Sequence, residues 1–221
     1  MANERKLAVF DLDSTLLEGE SMEALAKAHG NPGRMREINR ESGRKGMTRR
    51  NLSQRAALLK KMSLGEVAKV GRNLSVRKGV GEMLKELKSR GYTLALVSGS
   101  FDVPFRHLAR QNPEFALFDH VYLNRLGINR GKNRVSGKVS VRVKNNKGEI
   151  LRKLQRKLQV KSGNILAVGD AHSDVGMFSR AGISIAIGNA TESAIKAANH
   201  HISGNDMHEI IKILDLRNGT K

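Results

Sequence analysis

Four short apolar runs punctuate the chain, at residues 7–10, 93–97, 165–168 and 183–187. They are rich in β-branched and aliphatic residues and short enough to be buried strands. Between them the apolar period lengthens to that of a helix. Val80, Met83, Leu84 and Leu87 lie at helical spacing, with Gly91 behind them as a stop. Ile150, Leu151, Leu154 and Leu158 repeat the spacing within 147–158, and 207–216 predicts a last helix. Strand-like runs alternating with amphipathic stretches predict a parallel sheet with crossover helices, an α/β fold.

Two segments break this rhythm. Residues 17–75 contain no strand-like run and predict three or four short helices, split near Gly30-Asn-Pro-Gly33 and near Gly43 to Gly46. Ser63-Leu-Gly-Glu66 has the spacing of a capping box that opens one of them. This segment is expected to be a helical insertion, leaving 1–16 and 76–221 as the core. In 121–143, apolar residues alternate loosely around Asn129-Arg-Gly-Lys-Asn133, and Ser136-Gly137 interrupts the return, which predicts a β-hairpin.

With 221 residues the chain is long enough for one good core and a smaller attachment. It has no Cys, which excludes disulfides and cysteine-ligated zinc and fits a reducing compartment. No signal-like apolar segment follows Met1, and no run is long enough to cross a bilayer, so a cytoplasmic location is expected and a membrane is not. The formal charge of +19 is concentrated in two places. Residues 122–161 hold 13 Lys/Arg against the single acid Glu149, and residues 34–61 hold 10 against Glu37 and Glu41. Such a face steers phosphorylated substrates or touches nucleic acid, or else is simply a solvated cationic surface.

The polar residues that end the apolar runs carry the chemistry. Asp11 and Asp13 close the first run, Ser98 and Gly99 the second, Asp170 and Asp174 the third. In open α/β sheets ligands sit at the carboxyl ends of strands, so these clusters can converge. Two carboxylate pairs suit a divalent cation such as Mg²⁺. A hydroxyl, an amide and a lysine suit phosphoryl oxygens, and Lys147 at a helix start is the best-placed lysine, ahead of Lys144. A carboxylate nucleophile would split phosphomonoester hydrolysis into two steps, with a second carboxylate moving the proton.

In order and spacing these residues resemble the haloacid dehalogenase superfamily of phosphohydrolases, and within it the phosphoserine phosphatases. Asp11-Leu-Asp13-Ser-Thr15 matches the first motif, Ser98 the second, Lys147 the third and Gly169-Asp170 with Asp174 the fourth. The resemblance spans about residues 6–214. It implies a Rossmann-like core with a central parallel sheet and a helical cap closing over the site. It implies Asp11 as the phosphorylated nucleophile and Asp13 as general acid/base. Asp11, the Asp13 carbonyl and Asp170 would hold Mg²⁺. Ser98, Gly99 and Lys147 would bind phosphate, and Asp174 would orient the metal shell and Lys147. Glu20 would receive the ammonium of phosphoserine and Arg55 its carboxylate.

Three positions depart from the family pattern. Ser100 stands where the second motif has glycine, Ser173 where the fourth has asparagine, and Thr48 near where the cap has phenylalanine. The expected partner is a small phosphorylated substrate, with another phosphomonoester as the alternative to phosphoserine. Nucleic acid at the basic hairpin is a less favoured addition, since Tyr122 is the only aromatic there to stack on a base. His172 reads as a loop residue near the entrance. His200, His201 and His208 lack metal-binding spacing and read as surface residues. Gly99, Gly169 and Gly176 read as tight-turn positions, with a phosphate-facing amide expected at Gly99.

Overall fold

The structure is a computed structural model that describes residues 4–219, without the side chains of residues 43–45 and 218–219. Its strands are β1 (Lys6–Phe10), β2 (Tyr92–Phe101), β3 (His120–Asn129), β4 (Arg134–Ser140), β5 (Ile165–Gly169), β6 (Ile183–Ile187) and β7 (His200–Ile202). They form one sheet in the order β4-β3-β2-β1-β5-β6-β7. All neighbours are parallel except β3 and β4. The α/β class and the parallel sheet are as expected.

The helices are α1 (Ser21–Ala28), α2 (Pro32–Lys45), α3 (Arg49–Leu58), α4 (Leu64–Arg72), α5 (Val80–Ser89), α6 (Asp102–Gln111), α7 (Lys147–Leu158), α8 (Val175–Phe178), α9 (Glu192–Ala197) and α10 (His208–Gly219). Strand alternation sorts the core into two layers. Ala8 and Phe10 of β1 face Leu84 and Leu87 of α5, Leu108 of α6 and Ile210 and Leu214 of α10. Leu7 and Val9 face Leu151 and Leu154 of α7, Met177 and Phe178 of α8 and Ala194 of α9. Burying each of the larger of these side chains contributes about 1.5–3 kcal/mol, so both faces of β1 are held firmly.

Helices α1 to α4 share a third apolar cluster, which holds Leu25, Met35, Leu52, Ala56 and Met62. Their local signals are strong. Thr48 caps α3 and Ser63 caps α4, each with a reciprocal bond from the third helical residue. The same cluster includes Phe101 at the end of β2, Leu126 of β3 and Val135 of β4.

The hairpin has two allegiances. The first half of β3 runs parallel to β2 within the main sheet, and the second half turns back with β4. Asn133 turns the corner at φ 49°, and extra residues in β4 around Gly137, at φ +82°, shift the register. The edge of β4 then bonds to the insertion. Lys61 N donates to Val135 O at 2.9 Å, Val135 N to Met62 O at 2.8 Å, and Leu64 N to Asn133 O at 3.1 Å. Helices α6, α8 and α9 and the edge strand β7 complete the fold beyond the elements predicted from the sequence.

Candidate active site

The strand order reverses at β1, which sends β2 to one side and β5 to the other. At such a switch point the carboxyl ends of the strands open onto a crevice. Here the crevice is a cavity of about 310 Å³ lined by Asp11, Asp13, Ser98, Gly99, Ser100, Lys147 and Asp170 from the core. Glu20, Glu23, Asn39, Met47 and Arg55 of the helical insertion line it from above. Its size suits a small molecule.

Lys147 is the electrostatic centre. It opens α7 and is 1% exposed. Its Nζ lies 2.8 Å from Asp11 Oδ2 and 2.7 Å from Asp174 Oδ1. Burial works against the ammonium charge, but the Asp11 and Asp174 carboxylates outweigh it and raise the lysine pKa above its ordinary value. Lys144 is exposed and does not line the cavity. Asp174 Oδ2 accepts from the amides of Asp170 at 3.1 Å and Ala171 at 3.0 Å, so both its oxygens are engaged. Gly169 makes room for this arrangement, because a Cβ there would lie 2.4 Å from the Asp174 carboxyl carbon. Gly99 and Gly169 lie in β2 and β5 and Gly176 in α8, which corrects their reading as tight-turn positions. At Gly99, too, close approach is the reason: Met47 Sδ would be 2.5 Å from a Cβ.

Asp13 holds three donors. Ser21 N reaches Oδ1 at 3.0 Å, while Ser21 Oγ at 3.0 Å and Ser100 Oγ at 2.6 Å reach Oδ2. Burial nevertheless raises its pKa, against the pull of those bonds and with the Asp11 charge adding to the rise. Ser98 Oγ lies 2.9 Å from Ser100 Oγ, so with Asp13 ionised the hydroxyls donate in sequence from Ser98 to Ser100 to Asp13. These serines sit where β2 leaves its register with β3, between Val97 and Phe101. Bulges of this kind re-aim side chains beside sites. Asn124 secures the bulge from behind, donating to Gly99 O at 2.8 Å and Val143 O at 2.9 Å. It also accepts from Arg142 N at 2.7 Å and Val143 N at 3.0 Å.

Asp11, Asp170 and Asp174 each bring a carboxylate oxygen within 4.8 Å of the other two. Asp11 Oδ1 is buried with no hydrogen-bond partner. Thr15 Oγ1 donates to Asp170 Oδ1 at 2.8 Å. Burial and the Asp11 and Asp174 charges push Asp170 well above the usual carboxylate range. An orphaned carboxylate oxygen beside a second, charge-crowded carboxylate fits a hard divalent cation with oxygen ligands.

Glu20 precedes α1 and accepts from Ser14 Oγ at 2.9 Å. Burial, then the Asp13 charge, push its carboxyl up to about 8. Arg55 is 5% exposed and, among the described residues, makes no side-chain hydrogen bond or ion pair; its buried Nε is unpartnered. Burial lowers its pKa, against the charges of Glu20 and Asp13. All nine residues singled out from the sequence lie at this one site, eight on the cavity wall and Asp174 directly behind Lys147. Thr48 does not line the cavity; it caps α3, and its neighbour Met47 lies over Gly99 instead. His172 lines the rim and is exposed. Sequence reasoning missed Ser21, Thr15 and Asn124, whose partners lie 8, 155 and up to 25 residues away. It noted Ser100 only as a departure.

The family model for haloacid dehalogenase-like hydrolases matches residues 8–179. The phosphoserine phosphatase of Methanocaldococcus jannaschii is 32% identical over 216 residues, covering 97% of this chain and 100% of that one. That of Campylobacter jejuni subsp. doylei is 31% identical, covering 95% and 99%. A phospho-aspartyl intermediate analogue of phosphoserine phosphatase superposes with a TM-score of 0.85 at 32% identity, covering 95% of this chain and 99% of that one. A substrate-bound phosphoserine phosphatase gives 0.84, at the same identity, covering 95% and 98%.

Proposed function

The chain belongs to the haloacid dehalogenase-like hydrolases, and from that premise we propose that it hydrolyses O-phosphoserine to serine and inorganic phosphate. One observation carries the choice of substrate. Arg55 is a buried guanidinium that, among the described residues, makes no ion pair or side-chain hydrogen bond, on the wall of the cavity that holds Asp11. A buried unpaired charge is costly, and a substrate carboxylate would complete it. Glu20, ionised, would receive the substrate ammonium, and Ser14 orients it.

The Asp11 carboxylate attacks phosphorus, the bond from phosphorus to the serine oxygen breaks, and an aspartyl phosphate forms. Asp13 gives its proton to the departing serine oxygen; burial favours the protonated carboxyl needed there. A water then attacks the same phosphorus and passes its proton to Asp13, which frees phosphate and restores Asp11. Lys147 offsets charge on the phosphoryl oxygens, and Ser98 with the Gly99 amide holds them. Mg²⁺, held by Asp11, Asp170 and the Asp13 carbonyl, would supply further charge neutralisation. Asp174 keeps Lys147 and the Asp170 backbone in place.

In this reading residues 17–75 are a cap over a core formed by 1–16 and 76–221, and closure of the cap excludes water from the first step. Among the described residues no helix is long and apolar enough to cross a membrane, and we place the enzyme in the cytoplasm. The test is phosphate release from L-phosphoserine, phosphothreonine, nucleotides and sugar phosphates, with Mg²⁺ or EDTA and with Asp11→Asn as blank. A metal-dependent preference for phosphoserine is expected. Equal turnover of all esters would refute the amino-acid pocket.

A further inference from the structure

Outside the site, a groove of about 840 Å³ lies between α6 and the β3–β4 hairpin. None of its lining residues belongs to the catalytic cavity. Arg106 and His107 form one wall, and Arg125, Arg130 and Arg142 the other. Its sole carboxylate, Asp102, is already engaged: Oδ2 pairs with Arg106 at 2.5 Å and Oδ1 accepts from Leu126 N at 3.0 Å. Among the described residues Arg125, Arg130 and Arg142 are exposed and form no side-chain hydrogen bond or ion pair. His107 feels the same excess: after burial, the charges of Arg110, Arg72 and Arg106 hold its pKa down.

We propose that this groove binds the phosphodiester backbone of single-stranded nucleic acid, independently of base sequence and of the hydrolytic reaction. Guanidinium forks match phosphate oxygens in paired hydrogen bonds, and three of them stand here without a protein partner. Interfaces to nucleic acid are more polar and far more positive than those to protein. A protein partner would need exposed apolar anchors. Among the groove's large hydrophobics, only Val121 is exposed, at 41%. Phe105, the only Phe, Tyr or Trp among the groove's lining residues, is 7% exposed, which leaves His107 as the one ring near a base and argues against sequence readout by stacking. The mutual repulsion of two molecules of formal charge +19 disfavours a second copy of this chain as occupant. A flexible strand can follow a concave groove, whereas a rigid duplex would meet only its rim.

The test is fluorescence anisotropy with labelled (rU)20 and (dT)20 between 25 and 300 mM salt, using the full chain. Three proteins are compared: wild type, the groove variant Arg125→Glu/Arg130→Glu/Arg142→Glu, and the control Arg152→Glu/Lys153→Glu/Lys157→Glu on exposed positions of α7. Phosphatase activity unchanged in both variants establishes that they are folded. Wild type should bind both probes within a few-fold of each other, and affinity should fall steeply with salt. The groove variant should lose at least about 10-fold at low salt, with the log–log salt slope shallower by about 2, as expected for three lost contacts on a single strand. The control should lose much less. Absence of binding at 25 mM salt, equal losses in both variants, or poly-glutamate displacing the probes at equal charge concentration would each overturn the proposal. The last of these would assign the groove to an acidic protein.

Discussion

The hydroxyl of Ser100 donates to Asp13 Oδ2 at 2.6 Å, one of the shorter contacts at the site. The bond favours the ionised carboxylate and opposes the effect of burial. Ser100→Ala should therefore raise the Asp13 pKa further. Asp13 must be ionised when it activates water, so the acid limb of kcat should move up by about half to one pH unit, the equivalent of one hydrogen bond. The loss should be largest on the acid side of the profile and should shrink as pH rises. An unmoved limb would remove Ser100 from proton handling.

Arg55→Met should separate stability from activity. The substitution keeps the apolar stem and removes a buried charge whose burial outweighs the attraction of Glu20 and Asp13, for a gain of about 1–3 kcal/mol. At 2–4 °C per kcal/mol for a chain of this size, the melting temperature should rise by several degrees. kcat/KM for phosphoserine should fall at least about 100-fold, and activity on an aryl phosphate should change little. Glu20→Gln should show the same substrate selectivity. A loss shared equally by both substrates would refute these roles.

The buried trio of Asp11, Lys147 and Asp174 should respond in the opposite sense. Lys147→Met leaves two carboxylates without their cation, and breaking a buried pair in this way costs about 3–5 kcal/mol. Adding Asp174→Asn should return part of that stability while activity stays lost. Calorimetry of the single and double variants checks this. Additive destabilisation would mean that the pair is not coupled.

Glu20 sets a pH signature for the metal-free protein. Its pKa is raised from the ordinary glutamate value of 4.5 to about 8 in the folded state. Between those values the native state binds more protons than the unfolded chain, so stability falls as pH rises. Asp13 and Asp170, also raised, act in the same direction. The melting temperature without Mg²⁺ should therefore decline from pH 5 to pH 8. The increment on adding Mg²⁺ should grow over the same range, because the cation requires ionised carboxylates. A metal-free melting temperature that climbs from pH 5 to 8 would contradict this account.

Asn124→Leu tests the support behind the second strand. The side chain is fully buried and makes four hydrogen bonds. Its loss leaves two carbonyls and two amides to find other partners, at about 1–3 kcal/mol for each that finds none. Several degrees of melting temperature and a rise in KM are expected, since Gly99 is one of the anchored residues. An unchanged KM would confine Asn124 to folding.

Much of this architecture was legible because it is local and periodic. The strand cores, the helices behind Val80 and Lys147, and the Ser63 cap each announce themselves within a dozen residues. The chemistry was legible because strand ends in a parallel sheet share one edge. What escaped depends on distant partners. β7 is three residues long and takes its identity from pairing with β6. α6 starts directly from the last residue of β2, without a side-chain cap. Nothing near Asn124 or Thr15 in sequence hints that they hold Gly99 or Asp170. Gly169 looked like a turn because the side chain that needs its space belongs to Asp174.

Apart from Arg134 Nη1, which donates to Lys61 O at 3.0 Å, the seam between residues 61–64 and 133–135 is made of main-chain atoms. Amide and carbonyl pairing is largely indifferent to the side chains above it, so this joint can survive extensive sequence drift on either strand. It has no such tolerance for chain length. One residue inserted between the corner at Asn133 and Val135 would swap which groups face the insertion, and proline at Val135 would delete a donor outright. Over evolutionary time, relatives of this chain should vary freely in the letters along the seam and hardly at all in their number.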